Sequence, residues 1–375
     1  MDFTYSEEQQ MLADSLRRFV DTEYTFTQRR NSARGGGSFD RRMWSALAEM
    51  GVLGLTVPPE FGGFGQGAAS QLVVHRELGR GLVLEPVIPS AVMATAVLAA
   101  YGSKAQQQAW LPALAAGERV LALAYLEPAT RYRPEAARAS AERRGDGYVL
   151  NGIKSLAWHG AAADALLVSA RVAGSNDLAL FLVPRDVPGL TIGAYPTMDG
   201  LHAADLTLSN VPVGGDAVIG QPADGLAALE HGIDHGIAAL CAEAAGAMDK
   251  LIAITGEYLR NRHQFGKPLA SFQALQHRMA DMLVQAELAL SMAYVAAQGL
   301  TESDLAARRR MLSGAKVVVA RAGRLVGQQA VQLHGGMGMT DELEVGDYFK
   351  RLAMMDVLLG DSDYHLGRYC VAMAA

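Results

Sequence analysis

Cysteine is nearly absent: Cys241 and Cys370 are the only two in 375 residues. Two thiols so far apart cannot form a disulfide framework, and both read as free, buried thiols of a reducing compartment. No Cys-x-x-Cys or His-Glu-x-x-His spacing occurs, and the nine histidines are scattered, so no metal site is expected. There is no excess of positive charge. Lys and Arg number 33 against 39 Asp and Glu, a net charge of −6, which gives no electrostatic footprint for nucleic acid or anionic lipid. The first ten residues are acidic rather than basic-then-apolar, so they do not read as a secretory leader. Charged residues or histidines interrupt every candidate run of about 18 apolar residues. A soluble, cytoplasmic protein with no nucleic-acid or membrane partner is expected. Also missing are a Gly-x-Gly-x-x-Gly at a strand–helix junction, a P-loop and a Gly-x-Ser-x-Gly elbow. Any chemistry should therefore come from a bound organic cofactor.

What is present is apolar and periodic. Half the residues are hydrophobic and 19% are charged, enough for a large core divided over two or three packed units. Residues 1–118 read as helical. Ser6 with Gln9 forms a capping box, and Asp40 caps a helix carrying Met43, Trp44, Leu47 and Met50 that Gly51 stops. Further helices are expected around Ser70–Leu78, Ser90–Ala100 and Ala105–Ala115, around a Pro/Gly-rich loop from Val57 to Gly65. Residues 119–222 read as β, with short runs at Val120–Leu126, Tyr148–Leu150, Ala165–Ala170 and Leu178–Val183 and a tight turn at Asp146-Gly147. Strands so closely spaced leave no room for crossover helices, which argues against a Rossmann sheet. Residues 223–375 return to helix in four long stretches. In one of them Leu275, Met279, Met282, Ala286, Ala289 and Ala293 make an apolar seam for bundle packing. The class is α+β, mainly α: a helical domain, a β-barrel or sandwich, then a four-helix bundle.

Several segments resemble the acyl-CoA dehydrogenase family, in the family's order and over nearly the whole chain. Arg260–Pro268 with Ser271-Phe272-Gln273, and Gln332–Gly338, look like its flavin-binding signatures. Gly51–Leu55, Gly147–Lys154 and Leu206–Val213 match as well. The resemblance implies FAD, held by Arg262, Gln264, Phe265, Gln273, Gln332, Gly335 and Gly336, with Trp158 beside the flavin. Arg262 offers a planar donor fork to a pyrophosphate, and a glycine pair at a helix end admits close approach by backbone N–H groups. Taken alone, Arg262 would read as a solvated terminal arginine, Gly335-Gly336 as a helix stop, Phe265 and His334 as core, and Trp158 equally as β-domain core.

The resemblance also implies α,β-desaturation of an acyl-CoA, in which a carboxylate takes the α proton and a hydride leaves the β carbon for the flavin. Here the sequence departs from the family. The usual glutamate position at the last helix is Leu359, and the alternative one in the first long bundle helix is Gly236. The β-domain loop Leu126–Arg133 has lost the family's small and hydroxyl-bearing residues. The motifs that in this family reach a neighbouring subunit's flavin are kept, whereas those serving the chain's own flavin are altered. This pattern is most like the small subunit of two-subunit enzymes such as pimeloyl-CoA dehydrogenase, completing a partner's flavin site in a hetero-oligomer. Two other readings stay open. One is a self-sufficient homodimeric dehydrogenase with a displaced base, Asp234 the best candidate and otherwise a polar residue near the CoA entrance. The other is a flavin-free structural or binding subunit. Acyl-CoA and a flavoprotein electron acceptor are the further partners expected.

Overall fold

The computed structural model describes residues 5–35, 39–175 and 177–374. The chain forms two compact units, each assembled from separated stretches. The first comprises Met1–Asn31, Ala68–Val83 and Ile237–Ala375, and the second Ser32–Gly67 and Leu84–Gly236.

The first unit is helical. Helix α1 (Glu7–Glu23) starts at the Ser6/Gln9 capping box and buries Ala13, Leu16 and Val20. Helix α2 (Phe26–Arg34) follows. It was not evident from the periodicity, because a buried arginine fixes it: Arg29 Nε donates to the carbonyl of Leu82 at 2.9 Å and pairs with Asp347. Helix α4 (Ala68–Gly81) belongs to this unit, whereas α3 (Arg41–Glu49), α5 (Thr95–Tyr101) and α6 (Lys104–Ala115) belong to the second; the 37-residue α7 (Gly225–Asn261) starts in the second and enters the first at Ile237. Glycines let α4 and α7 touch backbone to backbone. A Cβ at Gly246 would run into the carbonyl of Arg76, and one at Gly79 into that of Glu243.

Helix α9 (Leu305–His334) is the hub on which α8 (Gln273–Gly299), α10 (Val345–Val357) and α11 (Ser362–Ala374) pack. In the α8 seam Met282, Ala286, Ala289 and Ala293 are buried, with Leu275 and Met279 half-buried at its start. The expected four long stretches are in fact five helices. The last breaks at Leu358–Asp361, where Leu359 (φ +60°) and Gly360 (φ +109°) are left-handed and cannot continue a right-handed helix. Arg351 of α10 grips Glu243 of α7 through two hydrogen bonds of 2.8 and 3.0 Å inside the core. The expectation of two buried thiols holds only for Cys241; Cys370, on α11, is exposed.

The second unit carries the sheet: β1 (Leu121–Ala124), β2 (Ser140–Arg144), β3 (Gly147–Trp158), β4 (Ala165–Val172), β5 (Leu178–Pro184), β6 (Leu190–Pro196) and β7 (His202–Val213). Hydrogen bonds join them into one seven-stranded sheet in the order β1-β4-β2-β3-β7-β6, with β5 on β4. The expected β-domain is thus built on a single hydrogen-bonded sheet. Most pairs are antiparallel, but β1 and β2 both run parallel to β4. The turn expected at Asp146-Gly147 lies one residue earlier, since Gly145 supplies the positive φ (+57°) and Gly147 already pairs in β3. The helix expected at Ser90–Ala100 starts instead as a fully buried π-helical segment, Val87–Ala94, before α5. Ser90 Oγ accepts the N–H of Leu121, and Thr95 Oγ1 donates to the Ser90 carbonyl, so side chains satisfy the widened turn.

Candidate functional site

Three separated segments meet at one end of the helical unit. The end of α7 lies against the end of α9: the Tyr258 ring stacks on His334 with centroids 4.3 Å apart, and its hydroxyl donates to the His334 carbonyl. The antiparallel partner α8 joins them through Arg278, whose guanidinium donates to Gln329 of α9 at 3.0 Å. Between α7 and α8 runs a small hairpin, β8 (His263–Gln264) and β9 (Lys267–Pro268), turned at Phe265 (φ +54°) and Gly266 (φ +79°). Two positive φ values make this the turn that suits strand twist, but a phenylalanine pays for it in strain. The Phe265 ring is 88% exposed and meets only the edge of Phe272, so it is not the core residue it would be by composition.

Arg262, Gln264, Phe265, Gln273, Gln332, Gly335 and Gly336 thus share this end, and all are exposed. The guanidinium of Arg262 and the amides of Gln273 and Gln332 make no side-chain hydrogen bond among the described residues, while Gln264 reaches only its neighbour's carbonyl. Gly335 (φ +60°) ends α9, and a Cβ on either Gly335 or Gly336 would meet nothing within 4 Å. The Gly335 N–H caps α9 by donating to the Gln332 carbonyl, and the space beside both glycines is open to approach. His334 beneath them is 3% exposed, as core packing requires. Its Nδ1 lies 2.8 Å from the Ala330 carbonyl and must donate, which leaves Nε2 a buried acceptor with no partner among the described residues. Burial lowers its pKa against that hydrogen bond and keeps the ring neutral.

Family models for the acyl-CoA dehydrogenase N-terminal, middle and C-terminal domains match residues 6–118, 122–211 and 223–372. Acyl-CoA dehydrogenase FadE27 of Mycobacterium tuberculosis is 30% identical, over 98% of this chain and 97% of that one. The chain belongs to the acyl-CoA dehydrogenase family. The human mitochondrial short-chain specific acyl-CoA dehydrogenase is 27% identical over 92% of this chain and 82% of its own. Among solved structures, the ChsE4-ChsE5 complex from Mycobacterium tuberculosis superposes with a TM-score of 0.90 at 28% identity, covering 100% of this chain and 99% of that one. The Tcur3481-Tcur3483 steroid ACAD gives 0.89 at 29%, covering 98% of both chains.

The fold is accordingly that of the acyl-CoA dehydrogenases: helical, then β-sheet, then helical. The family is FAD-dependent, and the open end of the helical unit fits that cofactor. It presents an unengaged guanidinium for a pyrophosphate, a glycine pair with open space beside it, amides for polar edges and an exposed aromatic face.

Leu359 and Gly236, the two positions where the resemblance places the family's base, are both buried. Leu359 is 7% exposed in the turn between α10 and α11. That turn is gripped by its carbonyls. Lys316 Nζ of α9 donates to those of Asp356 (3.0 Å) and Gly360 (2.8 Å), and His365 Nε2 to that of Leu359 (3.0 Å). Burial brings the Lys316 pKa down to about 8, opposed by Cys241, Asp356 and Asp361. It brings that of His365 down to about 3, with Lys316 adding to the effect. Gly236 is buried in α7, within the second unit. Asp234, two residues earlier, is a buried carboxylate, 3% exposed.

In the sheet unit the carboxylate of Glu127, in the loop Leu126–Arg133, is engaged by groups outside that loop. Glu127 accepts from the N–H of Arg138 (2.7 Å) and Ala139 (3.1 Å) and from Lys154 Nζ (2.6 Å), which also donates to Ser169 Oγ. Burial pushes the Glu127 carboxyl up, but Lys154 and the two amides outweigh it and hold it below the usual range. Trp158 closes β3, half-buried, its ring 6.4 Å from that of His159. Sequence reading missed Tyr258, Lys316, His365 and the Lys154–Glu127 pair. Only Lys154 left a signal, a lone lysine inside a β-forming run.

Proposed function

We propose that this acyl-CoA dehydrogenase works as one half of a two-chain enzyme: its helical end completes the flavin site of a second, different family member that carries the base. The observation that supports this most is the contrast between the two sets of motifs. The side-chain donors at Arg262, Gln273 and Gln332 are open among the described residues, whereas Leu359 stands where the resemblance places the base and Glu127 is engaged within the sheet unit. Two similar structures carry double names, the ChsE4-ChsE5 complex and Tcur3481-Tcur3483, and by the same logic we assign this chain a partner. FAD, when bound, accepts the hydride from the β carbon of an acyl-CoA, and a flavoprotein carrier is the proposed electron acceptor. This chain contributes binding and orientation. Arg262 neutralises the pyrophosphate, the glutamine amides hold the polar edges beside the glycine pair, and Phe265 covers an apolar face. Proton abstraction falls to the partner's carboxylate.

The test is the visible spectrum of the chain purified alone and after co-expression with a second family member encoded beside it that keeps glutamate at the base position. A colourless lone chain and a yellow complex with one flavin per pair are expected. A yellow lone chain whose flavin bleaches when an acyl-CoA is added anaerobically would overturn the proposal, and Asp234→Asn would then test the buried carboxylate as base.

A further inference from the structure

The sheet unit holds a cavity of about 500 Å³, and none of the residues assigned to the flavin lines it. Its walls are one face of α6, the end of β5 with the turn after it, and the end of β7 with the short helical turn Gly215–Ala217. Small-molecule sites typically enclose about 300–1,000 Å³, so the volume suits one. The walls are fixed before anything binds. Gln106, buried at the base of α6, spends its whole amide: Nε2 donates to the carbonyls of Asp216 (2.8 Å) and Val218 (3.1 Å), and Oε1 accepts the N–H of Ser103 (2.9 Å). Val218 in turn pairs with Phe181 of β5. Collapse of the space between these walls would break buried hydrogen bonds.

The lining is apolar with one charge. Trp110, Leu182, Val187 and Pro212 supply most of the apolar wall, and Asp216 is the only ionisable lining residue. Its exposed carboxylate makes no ion pair or side-chain hydrogen bond among the described residues. The cations nearby are engaged elsewhere and do not line the cavity. Lys104 lies over the Phe61 ring at 5.5 Å, Arg119 over Trp110 at 4.7 Å, and Arg185 beside Asp186 at 3.7 Å. Ser103 Oγ accepts the Gln106 N–H at 3.2 Å and keeps a second lone pair for another donor. The polar groups on offer are therefore acceptors, one of them negatively charged. A ligand with a carboxylate or phosphate head would meet like charge there, whereas an ammonium head meets its complement.

We propose that this cavity binds a small amphiphilic amine, with its ring or hydrocarbon body against Trp110, Leu182, Val187 and Pro212 and its ammonium group on Asp216. Removing the body from water supplies the affinity, and Asp216 selects the sign of the head group. The site is separate from the flavin motifs and stands whether or not the chain works with a partner.

The experiment titrates the full chain, as purified, with 4-phenylbutylamine and 4-phenylbutyrate at neutral pH by isothermal calorimetry. The two probes share a body and differ in the sign of the head group. Saturable one-site binding of the amine is expected, with the carboxylate at least tenfold weaker. Asp216→Asn changes an exposed position, so melting should match the wild type while the two probes come within about threefold of each other. Ala109→Phe, also at an exposed lining position, places a ring in the cavity. It should cut amine binding at least tenfold and leave helicity and the visible spectrum unchanged. The proposal is overturned if the amine shows no saturable binding at millimolar concentration, or if both probes bind the wild type equally. It is also overturned if neither variant alters amine binding, because the amine would then sit elsewhere.

Discussion

The helical and sheet units treat their polar and apolar groups in opposite ways. In the sheet unit the loop at Glu127 uses its hydrogen-bonding capacity internally, on Lys154 and two amides. Phe64, Ile153 and Met198 are its only large apolar side chains that are exposed among the described residues. In the helical unit the donors at Arg262, Gln273 and Gln332 remain open, and Phe265, Leu283, Val284, Leu288 and Met339 face outward. A carboxylate engaged on several sides fixes its own loop, whereas open donors beside exposed apolar side chains suit a ligand and a neighbour. The contrast teaches that the two regions are stabilised by different contacts and can be perturbed separately.

Four experiments sharpen or break this comparison. The largest effect is expected from Glu127→Ala, which strands a buried ammonium and should cost about 3–5 kcal/mol in denaturant unfolding. Flavin content of the complex that still folds should hardly change. A loss of flavin with no loss of stability would mean that the Glu127 carboxylate is not engaged in this way. Next comes acid. His75 and His365 are both brought down to about 3 by burial. The unfolded chain then binds protons from about pH 6.5 downward while the native one stays neutral. Stability from these groups is complete above that pH and falls toward pH 3, by up to about 1.4 kcal/mol per pH unit for each histidine. Thermal melts across pH 4–7 should show the slope, and His365→Asn should reduce it by half.

A smaller effect belongs to Arg262→Ala. Its guanidinium has no partner to lose, so the melting temperature of the flavin-free chain should stay put while flavin affinity in the complex drops about tenfold, the order expected from losing a charge-assisted hydrogen bond. Fluorescence titration of FAD checks both halves of that expectation. The least perturbing test is thiol labelling. Cys370 should react at once, but Cys241, whose pKa burial pushes up to about 12, only as the helical unit opens.

Legibility in the sequence followed the reach of the interactions. The Ser6/Gln9 box, the Asp40 cap and the alanine seam of α8 were readable because their partners lie within a turn or two of helix. The π-helical segment at Val87–Ala94, helix α2 and the break at Leu359 were not. They depend on the Leu121 N–H, on Asp347 and on Lys316, each supplied from elsewhere in the chain. At the candidate site the motif residues were named from resemblance, whereas their gathering at one end depends on Tyr258, His334 and Arg278, ordinary residue types at unremarkable spacings. The direction of Phe265 was misjudged for the same reason. Hydrophobicity says where a ring would rest if it were free to choose, and the hairpin turn decides otherwise.

The turn between α10 and α11 is held by Lys316 and His365 through carbonyl oxygens, and every amino acid has a carbonyl oxygen. The path of that turn is therefore fixed without any bond to the side chain of residue 359, which is left to fill the space beside it. A substitution there changes what the turn presents before it changes where the turn runs.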